Sequence, residues 1–132
     1  MGAWGFQAFE NDDALDWLED LEAGGSDIVR QSLNAVADGY IEAPDGSVAV
    51  AAAEITAAAQ GNPHGDFPED VATWVTAHGA ELTADDVQLA LTAVERVGGE
   101  ESELAELWDE ADEPEWKDSL DELAERLRAA LG

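Results

Sequence analysis

Apolar residues in this chain recur every three to four positions, in runs broken by glycine and proline, the spacing of helices that bury one face. The first stripe is Ala14, Leu18 and Leu21, with Trp17 beside it. Asn11 or Asp12 is placed to cap this helix, and acids in its opening turn suit the helix dipole. Gly24-Gly25 ends it. A second helix opens at Ser26 or Asp27, carries Val29, Leu33, Val36 and Tyr40 on one stripe, and stops at Gly39. Pro44 makes Ile41 to Gly46 a linker or turn. From about Ser47 to Gln60 the chain is apolar nearly all round, with Glu54 and Thr56 as its few polar interior positions. A helix of that kind belongs in the middle of a bundle.

Asn62-Pro63-His64-Gly65 predicts a loop, and Pro68 suits the first position of a fourth helix that places Val71, Trp74, Val75 and His78 together. Thr83-Ala84-Asp85-Asp86 resembles a capping box with Asp in place of Glu, followed by Val87, Ala90, Leu91 and Val94. Gly98-Gly99 ends that fifth helix. Ser102 can cap a short sixth carrying Leu104, Leu107, Trp108 and Ala111, and Pro114 starts a seventh with the stripe Trp116, Leu120, Leu123, Leu127 and Leu131. No alternating β-branched run with a hairpin turn is present. The expected fold is all-α: one domain over residues 1–132, a bundle of about six to seven helices across 11–131, with residues 1–10 an extended aromatic lead packed on it.

Composition agrees with a folded core. The chain is 45% hydrophobic and carries five tryptophans, and a chain of 132 residues buries roughly two thirds of its unfolded surface. Charge changes the picture. Thirty-two acids stand against five bases, a formal net charge of −27. One reading is a solvated acidic surface of the kind halophilic cytosolic proteins carry; the other is a surface shaped to meet a basic partner. Nucleic acid and anionic membranes are both disfavoured, because phosphate recognition needs clustered Lys and Arg. With no cysteine, disulfides, thiolate catalysis and Cys-based zinc sites are excluded. The longest apolar run, Val48 to Ala53, is far too short to span a membrane, and no secretion signal is visible, so a cytoplasmic location is expected. Nucleophile-elbow and phosphate-loop motifs are absent, and no cofactor is implied.

Several positions carry candidate chemistry. The glycines of the lead permit close backbone approach, so Trp4, Phe6 and Phe9 can line a pocket or plug one end of the bundle. Asn11, Asp12, Asp13, Asp16 and Asp20 form a solvated acidic face or, with the neighbouring Trp17, a binding face, and Asn11 and Asp12 also suit a plain capping role. Asp12, Asp16 and Asp20 stack at four-residue spacing, an arrangement cations would relieve, although it matches no calcium loop. Glu54 is the sharpest single residue, because a carboxylate in an apolar helix needs a partner. It is an acid–base or ligand-holding group, half of an ion pair with Arg30 or Arg96, or a residue at the helix's exposed edge. The two histidines, His64 and His78, lie too far apart in sequence for a helical metal pair.

The run Gly2-x-Trp4-Gly5-x-x-x-Phe9-x-Asn11-Asp12-x-Ala14-x-Asp16-Trp17 resembles an uncharacterised prokaryotic family, domain of unknown function 4259. Tyr40-Ile41-Glu42, Ala51-Ala52-Ala53-Glu54, Ala90-Leu91 with Arg96-Val97, and Ser102-Glu103-Leu104-x-x-Leu107-Trp108 extend the likeness over nearly the whole chain. The resemblance implies a small helical domain with no agreed activity. The residues themselves favour a non-enzymatic binding or interaction protein, monomeric or homodimeric, with a basic protein partner. An immunity-like antagonist is one concrete form. The alternative is a small-molecule or divalent-metal-binding domain, or a small enzyme, using Glu54 and the Asp12/Asp16 face.

Overall fold

In a computed structural model, described over residues 12–61 and 69–131, the stripes of the sequence become seven α-helices. They are α1 (Asp12–Gly24), α2 (Ser26–Asn34), α3 (Ala43–Ala59), α4 (Glu69–His78), α5 (Ala84–Val97), α6 (Glu103–Glu110) and α7 (Pro114–Leu131), with a 3-10 turn at Gly79–Glu81 after α4. Among the described residues there is no strand; a lone parallel bridge joins Ile41 to Ser102. The aromatic lead, the Asn62–Gly65 loop, the capping position Asn11 and the helix-start position Pro68 lie outside the described residues.

Helix α3 is the axle, and it packs against all six other helices. Its sequence makes this possible. Ala49, Ala51, Ala52, Ala53 and Ala57 are buried on successive faces and let neighbouring helices come close. Thr56 is fully buried and donates its hydroxyl to the Ala52 carbonyl at 2.9 Å, so no polar atom is stranded. The outer helices follow the one-sided pattern: Ala14, Trp17 and Leu21 of α1, Val87, Ala90, Leu91 and Val94 of α5, and Trp116, Leu120, Leu123 and Leu127 of α7 all face the core.

Local chemistry sets the helix starts. Thr83 and Asp86 form the expected capping box of α5. Ser102 caps α6 by accepting the Ala105 N–H at 3.2 Å. Gly25 takes φ +70°, which lets α1 turn directly into α2.

Two expectations are corrected. The segment from Ile41 to Gly46 is not a linker throughout, because α3 begins at Ala43 and Pro44 occupies its first turn. Proline belongs there, since an N–H at that position has no intrahelical partner; Glu103 supplies an acceptor for the Ala43 N–H at 2.8 Å. The second stripe does not run to Tyr40. Helix α2 ends at Asn34, Val36 is still buried, and Tyr40 is 56% exposed. The Arg96 guanidinium takes over in this stretch, donating to the carbonyls of Val36 at 2.7 Å and Gly39 at 2.5 Å. Ile41 then pairs with the chain at Glu101 and Glu103, each at 2.8 Å. At the ends of their stripes, Ala111 is exposed and Leu131 is 40% exposed.

Candidate functional site

Few positive charges exist, and where they go organises the electrostatics. Arg126 of α7 is largely buried and reaches Glu54 of α3 with two nitrogens, at 2.7 and 3.0 Å, and also pairs with Glu122. Burial pulls the Arg126 pKa down, but the hydrogen bonds it donates to Glu54 and Glu122 outweigh it and hold the guanidinium charged. Glu54, 6% exposed, is therefore a partnered carboxylate, and its partner is Arg126 rather than Arg30 or Arg96.

Arg30 forks onto Asp86 at 2.9 and 3.0 Å and donates to the Glu81 carbonyl at 2.7 Å. The bond to Asp86 raises the Arg30 pKa. Burial alone would push Asp86 up, yet Arg30 and the Thr83 N–H together bring it below the usual carboxylate range. Glu81 is also held low, first by His78 at 2.9 Å and then by Ser26 at 3.0 Å. Lys117 pairs with Asp121, and Arg128 with Glu95. All five bases, Arg96 included, are thus bound within the chain to carboxylates or carbonyls.

The cleft that stands out lies where α6 turns into α7. It has a volume of about 400 Å³, and Trp108 and Trp116 line it together with Gly98, Gly99 and Ala105. The two indoles are stacked, with centroids 6.3 Å apart and planes within 10° of parallel. The turn brings them together. Ala111 N–H bonds to Leu107 O and Asp112 N–H to Asp109 O, both at 3.1 Å, and Asp112 adopts a left-handed φ of 57° that reverses the chain ahead of Pro114. Trp116 is buried as the floor, whereas Trp108 is half-buried. Glu100, Glu106, Asp109, Asp112 and Glu113 ring the opening against one base, Lys117. Glu106 accepts the Tyr40 hydroxyl, which pushes the Tyr40 pKa up to about 12. Among the described residues, no cation bridges Glu100, Asp109, Asp112 or Glu113.

The sequence-predicted positions are scattered relative to this cleft. Trp4, Phe9 and Asn11 lie outside the described residues. Asp12 and Asp16 are exposed on α1. Trp17 is buried and donates its indole N–H to Ser32 at 2.8 Å, at the edge of a shallow groove that Asp20 also lines. Glu54 is turned to α7. Among the described residues no group of three or more His, Asp or Glu side chains is gathered closely enough to hold a metal ion, so Asp12, Asp16 and Glu54 form no such cluster. The cleft itself escaped the sequence reading, which assigned Trp108 and Trp116 to core stripes. Its signal was present: the two tryptophans bracket Asp109-Glu110-Ala111-Asp112-Glu113-Pro114-Glu115, an acidic turn between two aromatic anchors.

The described residues define an all-α helical bundle with no helix long and apolar enough to cross a membrane. The chain belongs to the family Domain of unknown function (DUF4259), whose model matches residues 2–119, in accord with the resemblance carried by Gly2 to Trp17. No curated protein and no solved structure matches it.

Proposed function

We propose that this protein is a non-enzymatic interaction domain of the cytoplasm that docks a basic protein partner, acting as one unit over residues 1–132. The supporting observation is the internal use of all five bases, which leaves the remaining acids to set the outward field. A surface of one sign steers an oppositely charged partner and speeds association while repelling acidic competitors. An antagonist that caps a basic toxin or nuclease is the concrete form this takes. The partnering of Glu54 by Arg126 supports a structural role for that residue over acid–base work.

The test is affinity capture from the source cell at its native salt, followed by cross-linking. The expected result is one strongly basic protein at near-equal stoichiometry, with an association rate that falls as KCl is added. Recovery of an acidic partner, or a rate that ignores salt, refutes the proposal. Glu54→Gln should leave capture intact, and its loss in a variant that remains folded would favour a site built on Glu54.

A further inference from the structure

We infer that the cleft at the α6–α7 turn is a receptor for a guanidinium group, an arginine side chain of the basic partner; this inference rests on the partner reading above. The geometry points to a planar cation for three reasons. The half-buried Trp108 and the buried Trp116 both line the cleft and stack on one another. Tryptophan is the best aromatic partner for a cation, and a flat guanidinium can lie on the ring while its edges donate to carboxylates. Asp109, Asp112 and Glu113 line the same opening with no cation bridging them, so the missing charge is positive. An anionic or neutral apolar ligand would leave those acids uncompensated as it displaced their water.

Lys117 does not fill this role. Its ammonium is held by Asp121 at 2.9 Å, one turn further along α7. Glu106 is engaged by the Tyr40 hydroxyl. That leaves Glu100, Asp109, Asp112 and Glu113 to receive the donors of an incoming arginine. The size agrees, since about 400 Å³ accommodates a side chain and not a folded element.

The experiment is an NMR titration of the indole N–H resonances of the full chain with N-acetyl-arginine amide. N-acetyl-citrulline amide serves as the uncharged isostere and N-acetyl-lysine amide as the ammonium control. Saturable shifts at Trp108 and Trp116 are expected, with Trp17 and Trp74 still. Arginine should bind more tightly than lysine, and citrulline about tenfold or more weakly than arginine. Trp108→Ala should abolish the saturable shift at Trp116. Asp109→Asn, an exposed change that disturbs no packing, should weaken binding several-fold. Equal binding of arginine and citrulline, equal shifts at Trp17, or no shift at Trp108 each overturns the assignment. The two proposals fail separately. A captured basic partner whose affinity is untouched by Trp108→Ala and Asp109→Asn overturns the receptor and leaves the docking reading standing. Saturable arginine binding without any basic partner upholds the receptor and overturns the protein-docking reading.

Discussion

Glu54 and Asp109 are carboxylates of one bundle placed under opposite physical regimes. Glu54 sits in the axle helix with its charge answered by two nitrogens of Arg126. Asp109 stands at the rim of an aromatic cleft with no cation bridging it among the described residues. Burial makes an unanswered charge costly, so the core spends one of five arginines and lysines on a single acid. Solvent makes the same charge cheap, so the α6–α7 corner holds several acids close together and remains available to a cation from outside. An acid-rich chain with few bases thus divides into a region where charge is closed off and a region where it is open.

Breaking the closed side has the largest expected effect. Arg126→Met strands Glu54 and should cost about 3 kcal/mol or more, read from denaturant unfolding. Adding Glu54→Leu should recover most of that loss, because a buried ion pair replaced by apolar groups is often neutral; a double variant as unstable as the single one would show that Arg126 acts through other contacts.

Salt sharpens the comparison from the open side. The thermal midpoint should rise by several degrees between about 0.1 M and about 2 M KCl, as the Debye length shrinks from about 10 Å. A flat midpoint would mean that the surface acids do not repel one another appreciably.

Acid tests the intermediate case. Asp86 is buried, and its pKa lies below the unfolded value, so its charged form favours the folded state. That stabilisation is complete above about pH 4 and is lost as pH falls through the lower folded value. Asp86→Asn should flatten this acid limb and cost about 1 kcal/mol at neutral pH, discounted because Arg30 is a third exposed. The smallest effect belongs to the exposed face of α1. Asp16→Asn relieves repulsion with Asp12 and Asp20 and should stabilise by a few tenths of a kcal/mol at low salt, vanishing in concentrated KCl.

Much of the architecture was legible from the chain. Apolar spacing of three to four, punctuated by Gly24-Gly25, Gly98-Gly99 and Pro114, located the helices, and the all-round apolar run identified the axle. Capping followed from residue chemistry at Thr83 and Ser102. Errors arose where one local pattern had two tertiary outcomes. Tyr40 continues a helical spacing that the backbone abandons, because Arg96, 57 residues away, captures the Gly39 carbonyl. Trp108 has the spacing of a core residue and is only half-buried, since in the eight-residue α6 only Leu104 is buried.

The sequence by itself determined the class of fold, the acidic surface and the demand that Glu54 find a partner, because those follow from periodicity, composition and the cost of burying charge. Only the tertiary structure decided which arginine answered and which tryptophans lined a cleft. Glu54 and Arg126 are 72 residues apart, and their meeting depends on how α3 packs on α7. Local spacing carries no information about that distance, and it is the packing of helices that turns a scattered set of acids and aromatics into a closed ion pair and an open acidic cleft.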